Sequence, residues 1–288
     1  MQHRPLFFLT LAISLFLVSC SSTPTTSPSE QHLADARNNF KSSDFSAALR
    51  NLDAAIKTST DPQTLEQASI LRVALLTAMA DADWQLAEAY HQGGRQPAAQ
   101  ASVASFSKER SDYNNTARNR LMDAMQALMD QRGKLTNNPV VIQINFPGFT
   151  GGTDPTIAKI KTGVWVGDAD RLAAEIQAER NALGRVLSAI AGAGDDPSKG
   201  QQVYSSGKAD IDPRVYIIAV SGSFLDVGAM FEPRALNEPD HLRTVNMVVK
   251  GDLEVADKLL AAKPDKDLEA RAKKMETECD KNLKKLGT

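Results

Sequence analysis

TLEQASILRVALLTAMADADWQLAEAYH, residues 64–91, runs without a single glycine or proline. Leu65, Ala68, Leu75, Met79, Ala82, Leu86 and Tyr90 recur at helical spacing and keep one face apolar along the whole stretch. One helix of about 42 Å follows from a rise of 1.5 Å per residue. Trp84 and Tyr90, six positions apart, need not share a face, and core packing is their expected role. A helix of this length needs helical neighbours to cover it, so the chain is expected to be all-α.

The flanking sequence supplies those neighbours. Leu33, Ala36 and Phe40 share a face before Lys41-Ser42-Ser43. Phe45, Ala48, Leu49, Leu52, Ala55 and Ile56 then line a second helix, with Asp44 placed as its N-cap. Asn115–Leu135 reads as a further helix, with Leu121, Met125, Leu128 and Met129 inward and Gly133 near its end. The helical regime breaks at 137–167. There VVIQINF (140–146) and KIKTGVWVG (159–167) flank PGFTGGTDP (147–155), a pattern that fits a β-hairpin or an ordered long loop.

Helix returns at Asp168, with Leu172, Ile176, Leu183, Leu187 and Ile190 in phase. Gly194–Asp210 is polar and glycine-rich and reads as loop. Asp212-Pro213 has the form of an N-cap and first helical residue for a buried helix through Val215 to Phe231, although Val215–Val220 alone also suits a strand. Pro233 and Pro239 punctuate the exit, Asp240 caps the next helical pair, and Asp265–Leu286 closes the chain as a charged amphipathic helix.

The first hairpin resembles a tetratricopeptide repeat. Ala36 is small, Ser43 falls at the turn, Phe45 is aromatic, and Ala48, Leu52 and Ala55 follow at offsets of three, seven and ten. The frame recurs around Trp84, Ala87, Tyr90, Gly94, Ala99 and Val103, and again around Met247, Gly251, Leu253, Ala256 and Leu260. The intervals are irregular, so no tandem array is expected. The resemblance implies helical hairpins, residues 32–288, stacked around a concave surface that receives a partner's peptide or helix.

The first 20 residues bear on compartment. His3 and Arg4 precede the apolar run Leu6–Leu17, which is too short to span a bilayer and suits a secretory h-region. Leu17-Val18-Ser19-Cys20 resembles the bacterial lipobox. That resemblance implies removal of residues 1–19, lipid attached to Cys20, and anchoring in the cell envelope; Ser21, which is not Asp, implies the outer membrane facing the periplasm. SSTPTTSPSEQ, residues 21–31, then reads as a flexible tether. The mature chain would carry a net charge of about −3, since Arg4 is the only charge lost from 33 basic and 35 acidic residues. Such a balance gives no basic face for nucleic acid.

Catalytic signatures are missing from the sequence. His32, His91 and His241 are far apart, without HExxH or paired spacing, and Cys279 stands alone on the apolar stripe of the last helix. Ser221-Gly222-Ser223 lacks a nucleophile elbow, and Gly207-Lys208 lacks P-loop spacing. Asp195-Asp196 and Gly151-Gly152-Thr153-Asp154-Pro155 read as turns. No catalytic residue, metal site or cofactor is expected, and an envelope hydrolase ranks below every binding role.

Aromatic residues are the more informative set. The chain has 10 Phe, 4 Tyr and 2 Trp, and Phe146, Phe149 and Trp165 fall together in its least regular segment. They are expected either to plug the helical body or to face a partner or ligand. Two roles follow: a membrane-tethered scaffold for a protein partner, and a carrier for a small hydrophobic molecule with Phe146, Phe149 and Trp165 at the pocket mouth. In architecture and length the first resembles the T-component lipoproteins of periplasmic TRAP-type transport systems.

Overall fold

The computed structural model describes residues 27–146, 148, 154–194 and 196–287, and among these the chain forms ten α-helices and one two-stranded sheet. The all-α expectation holds. α1 (Pro28–Ser42) and α2 (Phe45–Thr58) form a hairpin that buries Leu33, Ala36, Phe40, Phe45, Ala48, Leu52 and Ala55. Its turn is held by Ser43 in the left-handed region at φ 60°, and Asp44 caps α2 by accepting from Ala47 N at 2.9 Å. α1 starts inside the segment expected as tether. Ser27 and Glu30 form a reciprocal capping box ahead of Pro28, so residues 28–31 are helical.

α3 (Pro62–Gly94) is the axis of the molecule, about 50 Å long at 1.5 Å per residue. Val73 to Ala80 are buried without a break, because α2, α4 (Val103–Arg132), α6 (Asp168–Ile190) and α8 (Pro213–Gly228) pack around the middle of the helix. Its alanines let those neighbours approach from every side, and the single apolar face read from periodicity is one part of a fully covered surface. After a 3-10 turn at Pro97–Ser102, α4 runs back antiparallel to α3. Close contacts between their side chains, among them Asp83 with Arg120 and Tyr90 with Tyr113, set the register.

Among its described residues the 137–167 segment contributes one strand, β1 (Val140–Gln143), which is not paired within the segment. Its antiparallel partner is β2 (Lys208–Ile211), with Val140 opposite Ile211 and Gln143 opposite Lys208. The expected loop at 194–210 is thereby corrected: it holds α7 (Pro197–Val203), a 3-10 turn at Tyr204–Ser206 and the start of β2. KADI alternates exposed and buried, and its two charges hid that period of two. The second β-branched run instead begins as α5 (Pro155–Lys161), capped by Asp154, whose carboxylate accepts from Thr156 N at 2.7 Å and Ile157 N at 3.2 Å.

Asp212 caps α8 through Arg214 N at 2.9 Å, so Val215–Val220 is helix and not strand. Pro213–Phe231 is long and apolar enough to cross a membrane by length and composition, and 67% of it is buried inside the helical body. α9 (Pro239–Ala262) is one unbroken helix, which corrects the expected pair and the third repeat frame. Gly251 makes no turn. A β-carbon there would lie 2.7 Å from Arg132 Nη1, so the glycine is a notch for a side chain of α4. α10 (Lys266–Lys285), capped by Asp265, buries Leu268, Ala272 and Cys279. In α6 the expected stripe is corrected at its start, since Leu172 is exposed and the first half of that helix buries Ala174 and Ala178.

Candidate binding groove

A cavity of about 520 Å³ opens between the second half of α2, the start of α3 and the end of α4. Its volume is in the range of small-ligand sites. Ile56, Leu65, Ala127 and Leu135 supply apolar wall, while Asp53, Glu66, Arg72, Asp130 and Lys134 supply charge. The α2 and α3 walls are tied together by Arg72 Nε donating to Asp53 Oδ1 at 2.5 Å. Gln131 contributes to the lining at 7% exposure; its Oε1 accepts from the Tyr216 hydroxyl at 2.9 Å, and its Nε2 is buried without a partner. Glu66 is half-buried, and burial pushes its carboxyl above the usual carboxylate range.

The groove lies at the end of the body where the described residues begin. Arg37 of α1 donates to Gln67 of α3 at 2.9 Å, which sets the level of α1 along the axis. Ser27 lies ten residues before Arg37 on a helix that runs the same way as α3, so it reaches past Pro62.

The predicted aromatic residues lie elsewhere. Trp165 is 40% exposed and packs on Tyr90 at 6.3 Å and on Phe106 at 5.5 Å, near the far end of α3. Tyr90 in turn stacks on Tyr113 at 5.6 Å. Leu65 and Tyr90 are separated by about 38 Å along the axis, so Trp165 cannot border the groove. Phe146 is partly buried against the core, and Phe149 lies outside the described residues. Neither Phe146 nor Trp165 lines the groove, and they are not in ring contact with each other.

A polar seam joins α6 to α3 and α4, and the sequence reading missed it. Arg120 reaches Asp83 at 2.8 Å and Glu179 at 3.1 Å; Arg185 reaches Asp81 at 2.6 Å; Arg171 reaches Glu109 at 3.0 Å; the Tyr113 hydroxyl donates to Glu175. Burial raises the Asp83 carboxyl to about 7 despite the Arg120 charge, and it raises Glu179 as well. Two aspartates inside an apolar helix and the 171, 175, 179 spacing were the available signals.

Among the described residues no group of three or more His, Cys, Asp or Glu is placed to hold a metal. His241 Nδ1 sits 3.1 Å from Glu238 and its ring stacks on Phe231 at 5.0 Å. Cys279 is fully buried, and burial pushes its thiol up to about 12. Cys20 and Asp195 lie outside the described residues. Comparison of the chain with protein-family models, with curated proteins and with solved structures finds no match.

Proposed function

We propose that the chain is a lipid-anchored protein of the bacterial cell envelope whose helical body is a binding module, with the α2–α3–α4 groove receiving a segment of a protein partner. The groove carries the reading: it is open, concave, apolar along its walls and charged at its edges. Such a surface suits a docking segment better than chemistry. The lipobox-like Leu17-Val18-Ser19-Cys20 supports the anchor, since several acyl chains on one cysteine hold a protein on a membrane stably. Residues 20–27 would then reach at most about 27 Å, keeping the groove near the bilayer and the Trp165 end far from it.

Fractionation tests the anchor. Cys20→Ala is expected to move the protein to the soluble fraction with its helical circular dichroism and melting temperature unchanged. Retention of that variant in the membrane, or loss of its fold, contradicts the reading.

The size and apolar walls of the groove also favour a second reading, a carrier for a small hydrophobic ligand. Native mass spectrometry of the delipidated chain distinguishes the two, because a carrier retains a bound small molecule.

A further inference from the structure

We infer that the groove selects a partner segment in which apolar side chains flank a lysine or arginine, with Glu66 as the carboxylate that receives the cation. This deepens the proposed function and rests on the groove being a binding site. Glu66 stands on the groove wall beside Leu65 and one turn from Ser69. Its carboxylate has no hydrogen bond or ion pair within the described body.

The other charges of the wall do not compensate it. Arg72 is committed to Asp53 at 2.5 Å, and Asp130 already accepts from Gln126 Nε2 at 2.7 Å. Lys134 is exposed at the rim and makes no ion pair among the described residues. The lining therefore holds three carboxylates against two bases. Consistent with this, burial is the sole cause acting on the Glu66 carboxyl, and no neighbouring base offsets it. A half-buried, unpaired carboxylate is costly, and a cation delivered beside it removes that cost while the flanking apolar groups cover Ile56, Leu65 and Leu135. An acidic segment would meet Glu66 and Asp130 with like charge and is disfavoured, Lys134 at the rim being the one base left to receive it.

Three labelled pentapeptides test this against the full mature chain in nanodiscs, with empty nanodiscs as the blank: acetyl-Ser-Leu-Lys-Leu-Ser-amide, and the same peptide with norleucine or with glutamate at the centre. Fluorescence anisotropy is expected to show the lysine peptide binding at least tenfold tighter than the norleucine peptide, and the glutamate peptide weakest. Glu66→Gln should abolish the lysine preference, and Glu66→Lys should transfer it to the glutamate peptide. Ser69→Trp, which fills the groove, should abolish binding of all three. Equal binding of lysine and norleucine peptides, lost in Ser69→Trp, overturns the charge selection and leaves the groove as a site. Absence of binding by every peptide, or binding that survives Ser69→Trp, overturns both. Circular dichroism melts of each variant separate lost binding from lost fold.

Discussion

Arg132 Nη1 lies 2.7 Å from Asp252 Oδ1 and joins the end of α4 to the middle of α9 through a carboxylate with no solvent exposure. The same nitrogen donates to Val248 O at 3.3 Å, and Ser221 Oγ approaches the second carboxylate oxygen at 3.4 Å. Removing the guanidinium leaves a buried charge without its partner. Arg132→Met is expected to cost about 3 kcal/mol, and the double variant Arg132→Met/Asp252→Leu to recover most of it. Urea denaturation measures both; equal losses in the single and double variants would show that the pair is not the source.

The buried acids predict a pH dependence. Asp83 is raised to about 7 and Asp252 to about 6, both by burial, from an ordinary value of 3.8. An acid whose pKa is higher folded than unfolded binds its proton better in the fold, so its stabilising contribution is present at low pH and is lost as pH rises through the folded value. That loss falls between the unfolded and the folded value, from about pH 4 to about pH 7 for Asp83 and to about pH 6 for Asp252, at up to about 1.4 kcal/mol per pH unit for each group. His91, lowered by burial, acts in the opposite direction, so the difference between wild type and Asp83→Asn is the clean readout. That difference should shift in favour of the variant as pH rises toward 8. A difference independent of pH would contradict the raised Asp83.

Close backbone approach fixes one glycine. A β-carbon at Gly93 would lie 2.0 Å from Ile160 O, a backbone atom, while one at Gly133 would meet nothing within 4 Å. Gly93→Ala should therefore destabilise by about 1–3 kcal/mol, because α5 must be displaced from α3. Gly133→Ala should stay within about 0.5 kcal/mol of wild type. Comparable melting temperatures for the two variants would refute this packing.

Cys279 should be inert in the native state. It is fully buried and burial holds its thiol protonated, with a pKa pushed up to about 12. Iodoacetamide at pH 8 is expected to leave it unmodified until denaturant is added, as read by mass spectrometry of the peptide containing it. Rapid modification without denaturant would place the thiol at the surface.

The local signals in the sequence translated well. Asp44 and Asp212 cap the helices they were expected to start, because capping depends on residues within one turn, whereas Asp240, also expected as a cap, lies inside the first turn of α9, which Glu238 precedes without a side-chain cap. Ser27-Pro28-Ser29-Glu30 carried an equally local capping box, obscured by the Ser/Thr/Pro composition around it. What was not legible depends on partners distant in sequence. β1 found its partner strand far along the chain, with Ala209 opposite Ile142, 67 residues away. Gly251 was placed in a repeat frame because the side chain filling its notch belongs to Arg132, 119 residues earlier.

The groove was illegible for the same reason. Ile56, Leu65 and Leu135 share a wall only once α2, α3 and α4 are packed, and nothing in their spacing links them. The aromatic cluster drew the reading toward 146–165 because bulky side chains in an irregular segment stand out. Trp165 packs on Tyr90 and Phe106, one end of the axis away from the cavity, and keeps 40% of its surface exposed.

Site-specific photocrosslinking in the intact envelope tests the central claim, a tethered body that binds through its groove. Benzoylphenylalanine at Leu135, on the groove wall, is compared with the same group at Met247, which is 59% exposed on α9. The account predicts a discrete adduct from position 135, none of that mass from 247, and its loss when Ser69→Trp fills the groove. An adduct pattern that is the same from both positions, or one at 135 that Ser69→Trp leaves intact, would contradict it.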